Sequence, residues 1–67
     1  MANAQLLVDK YKNSGKTKTH LSKKLGVSRP RLDSIFNDPE TATVGQGEVF
    51  KAEFGLTEEE VKEIFLP

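Results

Sequence analysis

The stretch from Lys18 to Asn37, KTHLSKKLGVSRPRLDSIFN, decides the fold of this chain. Gly26 is the residue type that most often adopts the left-handed conformation just after a helix, and Ser28 is a preferred cap for the next one. Apolar residues surround this turn and continue along the second helix: Leu21, Leu25, Val27, Leu32 and Ile35. The pattern predicts two short helices that meet at a tight turn and bury their inner faces.

Helical patterns continue on both sides of this stretch. From Asn3 to Asn13, apolar residues recur at spacings of three and four, and Ser14-Gly15 supplies a stop. Thr17 can cap the second helix. The third helix is predicted to end at Asn37-Asp38-Pro39, because proline cannot continue a helix.

The C-terminal part of the chain predicts two further helices. Residues 40–47 indicate a loop running into a weak helix start, where Thr43 and Gln46 have the spacing of a capping box. Thr57 and Glu60 form a cleaner capping box for the last helix. We therefore predict an all-α fold: one domain over residues 1–67, a bundle of about five helices with residues 18–37 at its centre. No strand is required, although residues 64–67 can extend.

Composition excludes several classes of protein. The chain has 67 residues, one histidine and no cysteine, so disulfide-stapled folds and thiolate metal cages are excluded. Its apolar runs are far shorter than the roughly 20 residues that cross a bilayer. The first residues, Met-Ala-Asn-Ala-Gln, do not resemble a signal peptide. We expect a soluble cytoplasmic domain that has no membrane association.

The formal net charge of zero conceals a strong asymmetry. Residues 1–32 hold eight basic residues against Asp9 alone, a net charge of +7, whereas residues 33–67 hold two basic and nine acidic residues, a net charge of −7. If the halves fold to different faces, one surface suits a phosphate backbone and the other is repelled by it. Alternatively, the halves interleave as solvated salt bridges. Charge alone does not choose between these arrangements.

The turn at Gly26, the small Ser22 and the surrounding apolar positions resemble the helix-turn-helix of lambda repressor and Cro, a family of phage and bacterial regulators. The segments Val49-Phe50 and Phe54-Gly55-Leu56-Thr57-Glu58-Glu59 are similar to that family's fourth helix and the start of its fifth. The resemblance therefore extends from helix one to about Phe65. The family usually has alanine at the position of Ser22, a departure that matters little because serine is also small.

The resemblance implies that helix three reads base edges in the major groove. If Leu32, Ile35 and Phe36 face the core, a rotation of 100° per residue puts Pro30, Ser34 and Asn37 opposite them, flanked by Arg31 and Asp33. The candidate base-reading residues are Arg29, Pro30, Arg31 and Ser34. Arginine can contact guanine through two hydrogen bonds.

Two alternatives concern Arg29. Proline disfavours helical geometry in the residue before it, so Arg29 is a candidate for the helix cap instead of the first helical residue. Arg29 also stands four residues before Asp33, so an intrahelical ion pair competes with a DNA contact.

Phosphate contacts are expected at the start of helix two and the end of helix three. By resemblance, Lys18 and Asn37 correspond to positions that touch phosphate in this family. Thr17 and Thr19 join them as candidates, because exposed N–H groups at a helix start attract phosphate.

The remaining side chains favour structural roles over chemistry. His20 has no second histidine or cysteine to complete a metal site. It also has no nucleophile partner that the sequence identifies. We therefore expect no metal, no cofactor, no small-molecule substrate and no enzymatic activity. The acidic run from Glu58 to Glu60 suits the start of a helix. The aromatic residues are interpreted as core: Tyr11, Phe36, Phe50, Phe54 and Phe65.

Two functions fit this sequence. The first is a Cro-like transcriptional repressor of a phage or bacterium that binds double-stranded operator DNA as a homodimer on a near-palindromic site. Residues 57–67 are the candidate dimerisation segment, and within them we expect the apolar end from Ile64 to Pro67 to be exposed for the dimer contact. The alternative is an antirepressor-like protein-interaction module on the same scaffold, which binds a partner through its acidic helices four and five.

Overall fold

The computed structural model describes residues 3–66, and this part of the chain forms five α-helices and one turn of 3-10 helix without any strand. The elements are α1 Ala4–Ser14, α2 Lys18–Leu25, α3 Arg29–Asn37, the 3-10 turn Pro39–Thr41, α4 Val44–Phe54 and α5 Glu58–Phe65. The predicted all-α class and the predicted number of helices are confirmed.

Side-chain caps fix where each α-helix begins. Asn3, Thr17, Ser28, Thr43 and Thr57 each accept a hydrogen bond from the backbone N–H three residues later. Both predicted capping boxes are present, since Gln46 and Glu60 bond back to the N–H groups of Thr43 and Thr57. Helix α4 therefore starts at Val44, within the segment predicted as a loop running into a weak helix start. Its capping box compensates for the low helix propensity of the glycines in its first turn.

Gly26 makes the turn between α2 and α3. Its φ of 70° lies in the left-handed region, which residues bearing a Cβ seldom adopt. The N–H of Gly26 bonds to the carbonyl of Lys23 at 3.3 Å, and the N–H of Val27 bonds to the carbonyl of Ser22 at 3.1 Å. The turn thus satisfies carbonyls at the end of α2, and α3 starts at Arg29, three residues after Gly26.

One apolar core joins all five helices. Leu7, Leu21, Leu32, Ile35, Phe50 and Ile64 are fully buried, and Phe36 and Leu56 are nearly so. The aromatic rings lie in a connected row, with centroid separations of 5.1 Å for Tyr11–Phe36, 5.9 Å for Phe36–Phe50 and 5.7 Å for Phe50–Phe65. The interpretation of these residues as core is confirmed.

The end of α5 closes against the start of α1. The N–H of Asn3 lies 3.1 Å from the carbonyl oxygen of Glu63 and 3.2 Å from that of Ile64. Ile64 is completely buried and Phe65 packs against Phe50. The expectation that the whole apolar end is exposed for dimerisation is therefore wrong for Ile64, since the core takes up this side chain. Leu66 is 55% exposed with an extended backbone, and Pro67 lies outside the described residues.

Candidate nucleic-acid interface

Helix α3 buries one face and leaves the opposite face open. Leu32, Ile35 and Phe36 point into the core, as the helical rotation predicts. On the other side Pro30, Ser34 and Asn37 are exposed and form a stripe along the helix. We call these three residues the α3 stripe. The stripe is mostly polar, and its position follows directly from the burial of the opposite face.

The start of α3 differs from one of the sequence-based expectations. Ser28 is the cap: its backbone is extended, and its Oγ accepts a hydrogen bond from the N–H of Arg31 at 3.3 Å. Arg29 is the first helical residue, so the interpretation of Arg29 as the cap is wrong. The following Pro30 disfavours helical geometry at Arg29 but does not prevent it, because the serine cap holds the first turn. Pro30 has no backbone N–H, but this costs no hydrogen bond because N–H groups in the first turn of a helix have no acceptor within the helix.

The side chain of Arg29 extends away from the α3 stripe and contacts α2. Its Nη1 lies 3.4 Å from Oγ1 of Thr19, a long hydrogen bond between exposed groups. The intrahelical ion pair with Asp33 is not formed, because Asp33 pairs instead with Lys18. The guanidinium of Arg29 thus keeps most of its five N–H donors for another acceptor.

The side chain of Arg31 extends to the other side of the α3 stripe and contacts the 3-10 turn. Its Nη2 donates to the carbonyl oxygen of Thr41 at 2.6 Å, and its Nη1 donates to Oγ1 of Thr41 at 3.1 Å. Sequence reasoning missed this pair, which joins residues ten positions apart through the fold of the α3–α4 connection. The two arginines therefore flank the stripe on opposite sides, each contacting a threonine of a neighbouring element.

Two of the four predicted phosphate-binding residues line a surface groove of about 440 Å³ between α1, α2 and α3. Lys18 and Asn37 both line it, together with Lys12 and the aromatic rings of Tyr11 and Phe36. The Nζ of Lys18 lies 2.9 Å from Oδ1 of Asp33 and 5.7 Å from the centroid of the Phe36 ring. The fold thus brings together two candidates that are far apart in the sequence, although Lys18 already has a partner.

The other candidate DNA-contacting residues with a hydroxyl group each form a hydrogen bond within α2 and α3 or at their starts. Thr17 caps α2, and its hydroxyl accepts from the N–H of His20 at 3.1 Å. Thr19 is exposed two residues further along the chain, and its hydroxyl accepts a hydrogen bond from Arg29. The Oγ of Ser34 donates to the carbonyl of Pro30 at 3.1 Å, so its oxygen lone pairs stay available on the stripe.

Ion pairs across the fold partly interleave the basic and acidic halves. Lys10 pairs with Glu60, Lys16 with Glu53 and Lys18 with Asp33. Each pair joins one of the first 32 residues to one of the last 35. Lys12, Lys23 and Lys24 are exposed on α1 and α2. The interleaved arrangement considered from the sequence is therefore formed in part, by these three ion pairs.

A cluster around Glu53 joins α2 to α4. Nε2 of His20 lies 2.6 Å from Oε1 of Glu53, and Nζ of Lys16 lies 3.7 Å from the same oxygen. The hydrogen bond from His20, followed by the positive charges of Lys16 and Lys24, lowers the pKa of Glu53. The single histidine thus has a carboxylate partner, which no local sequence pattern indicates because the two residues are 33 positions apart.

Hydrogen bonds and nearby lysines lower the pKa of two further carboxyl groups near the start of α5. A hydrogen bond from Lys51 lowers the pKa of Glu58, and one from Lys10 lowers that of Glu60. Among the described residues, no group of three or more histidine, cysteine, aspartate or glutamate side chains is arranged to hold a metal ion. None of the helices between residues 3 and 66 has the length and apolar character needed to span a bilayer.

Comparison with protein-family models, with curated proteins and with solved structures found no match for this chain. Any functional assignment therefore depends on the surface geometry and on the sequence pattern.

Proposed function

We propose that this protein is a sequence-specific DNA-binding transcriptional regulator that reads the major groove through α3. One observation carries the proposal: α3 packs one face completely into the core and leaves the opposite face unpacked, with an arginine on each side of it. A helix whose exposed face is polar and flanked by guanidinium groups has the chemistry that base edges require.

The neighbouring element supports this use of α3. In helix-turn-helix proteins the first helix of the pair crosses the DNA backbone while the second enters the groove. Here Thr17 caps α2, and the next two residues, Lys18 and Thr19, contact Asp33 and Arg29 of α3. Exposed N–H groups at the start of a helix, together with a lysine, suit a phosphate group. In this proposal α2 contacts the DNA backbone and α3 reads the bases.

In the free protein, some of the groups proposed to contact DNA have partners within the chain. Lys18 is paired with Asp33, and Arg31 donates to Thr41. The Lys18–Asp33 pair is partly exposed, so it contributes little stability and is readily exchanged for a phosphate contact. In this proposal the pairs hold the long side chains near the DNA and reduce the conformational entropy that is lost on binding.

A single α2–α3 unit spans only half of a typical operator, so we propose that two chains bind a near-palindromic site with half-sites about 34–36 Å apart. The regulator then acts as a repressor by blocking polymerase, in the cytoplasm of a bacterium or an infected host. Among residues 3–66, the exposed large apolar side chains are Val44 and Leu66, of which Leu66 lies in the segment predicted for dimerisation.

The test is selection of bound sequences from random duplex DNA at physiological salt, followed by titration of the enriched sequence. We expect an enriched inverted repeat. Arg29→Ala is expected to weaken binding by about 5- to 150-fold, the range for loss of a two-bond base contact. It also relaxes the preference at one position of each half-site. Lys62→Ala removes the same charge from α5 and is expected to leave the base preference unchanged.

Salt dependence is the second readout. Each neutralised phosphate contributes about −0.9 to the slope of log K against log salt. Binding that does not weaken between low and moderate salt would contradict the proposal. If no sequence is enriched, the α2–α3 unit is a scaffold, and the protein-interaction alternative through α4 and α5 becomes the better explanation.

A further inference from the structure

Thr41 holds the guanidinium of Arg31 in one orientation. The two hydrogen bonds, to the carbonyl oxygen at 2.6 Å and to Oγ1 at 3.1 Å, engage two different nitrogens of the planar group. Two bonds to a rigid fork fix its plane as well as its position. A single bond, such as that from Arg29 to Thr19 at 3.4 Å, leaves the plane free to rotate.

The direction of the bond to the hydroxyl is set by a third residue. Oγ1 of Thr41 donates its proton to the carbonyl of Asp38 at 2.8 Å. A hydroxyl has one proton and two lone pairs, so the oxygen that faces Arg31 acts as an acceptor. The hydroxyl therefore connects the carbonyl of Asp38 to the guanidinium in a chain of bonds with fixed polarity.

Thr41 is itself held in place by the 3-10 turn. Its N–H bonds to the carbonyl of Asp38 at 3.1 Å, and the next N–H, that of Ala42, bonds to the carbonyl of Pro39 at 3.0 Å. Pro39 is buried, so the turn is anchored in the core. Arg31 is thus oriented by a part of the fold that is itself fixed, and its remaining N–H donors stay available.

We infer that Thr41 is a positioning residue for base reading: it orients Arg31 towards one base position beside the α3 stripe and thereby sets the base preference there. This inference rests on the proposed DNA-binding function. The expected target of the oriented guanidinium is guanine, which accepts two parallel hydrogen bonds in the major groove. Arg29, with its looser support, is expected to discriminate less sharply among bases.

The experiment compares base preferences at every operator position for the wild type, Thr41→Val and Thr41→Ser. Valine has nearly the shape of threonine but no hydroxyl. Loss of one hydrogen bond corresponds to about a two- to tenfold change, so Thr41→Val is expected to reduce the preference at one position of each half-site by that factor. Thr41→Ser retains the hydroxyl and is expected to keep the wild-type preference. Binding to non-operator DNA and its salt slope should be unchanged in both variants.

Two controls separate positioning from a general structural effect. In an Arg31→Ala background, Thr41→Val should cause no further change in base preference, because the residue through which it acts is absent. Thr19→Val is expected to affect a different position, the one that Arg29 reads. Thermal unfolding of each variant checks that the fold is retained.

The possible results have distinct meanings. If the wild type enriches a sequence but Thr41→Val leaves every base preference unchanged, the positioning role is overturned while the DNA-binding function stands. The same holds if Thr41→Val weakens all positions equally or if Thr41→Ser behaves like Thr41→Val. If the wild type enriches no sequence, the proposed function fails, and the role of Thr41 fails with it.

Discussion

The ammonium group of Lys18, at the start of α2, lies 2.9 Å from a carboxylate oxygen of Asp33 on α3. Lys18 is the lysine expected to contact phosphate, and in the free protein it is paired with this carboxylate. Asp33 also places a negative charge beside the candidate DNA-binding surface. In the free protein Asp33 therefore competes with DNA for Lys18.

Asp33→Asn is predicted to strengthen DNA binding. The substitution frees Lys18 and removes a charge that repels phosphate, so the salt slope should steepen by about 0.9 if one more phosphate is neutralised. The free energy of unfolding should change by less than about 1 kcal/mol, since the pair is partly exposed. Titration at several salt concentrations measures the slope. Glu59→Gln, which makes the same charge change on α5, is the control, and an equal gain in that variant would contradict a local role for Asp33.

Two glycine substitutions are predicted to have opposite effects on stability. Gly26→Ala should destabilise the fold by about 1–2 kcal/mol, because its φ of 70° is strained for alanine. Gly45→Ala should stabilise it by up to about 1 kcal/mol, because alanine favours the helix and a Cβ there meets no atom within 4 Å. Urea unfolding followed by circular dichroism measures both. A destabilised Gly45→Ala would show that the first turn of α4 needs glycine for another reason.

Phe50→Ala is predicted to unfold most of the protein. Phe50 is fully buried and contacts the rings of Phe36, Phe54 and Phe65. Removing such a ring costs about 3–5 kcal/mol, comparable to what the whole core of so small a domain supplies. The helical circular dichroism signal at 25 °C should fall accordingly. Val44→Ala, at a residue 86% exposed, should change stability by no more than about 0.5 kcal/mol.

Glu53 is predicted to contribute stability that depends on pH. Its pKa is lowered in the folded protein, chiefly by the hydrogen bond from His20. A carboxyl group with a lowered pKa stabilises the fold above its unfolded pKa, and this contribution is lost as the pH falls through the folded value. Glu53→Gln should therefore melt at a lower temperature than the wild type near pH 7. The difference should shrink below about pH 4, where carboxyl groups become protonated. Glu48→Gln controls for loss of a charge on α4, and a difference that is constant with pH would contradict the assignment.

Much of the fold was predictable because its signals are local. The caps at Thr17, Ser28 and Thr57 act within three residues, and Gly26 ends α2 through its own backbone conformation. The face of α3 that is buried follows from a fixed rotation per residue. The start of α4 was less clear, since two glycines weaken the helix signal while the capping box of Thr43 strengthens it.

The partners of the charged side chains on the candidate surface were not predictable. Local spacing suggested a pair between Arg29 and Asp33, four residues apart on one helix. The packing of α2 on α3 instead brings Lys18 to Asp33, and the 3-10 turn brings Thr41 to Arg31. Likewise, the apolar end of the chain suggested a dimer contact, but closure of α5 against α1 buries Ile64.

The sequence by itself determined the helices, their order and the residues that form the core, because caps, turn glycines and helical periodicity act over a few residues and need no tertiary context. Only the tertiary structure decided which side chains meet across elements, such as Arg31 with Thr41 and His20 with Glu53. Long polar side chains choose partners by distance in space, and that distance is set once the helices have packed around the core.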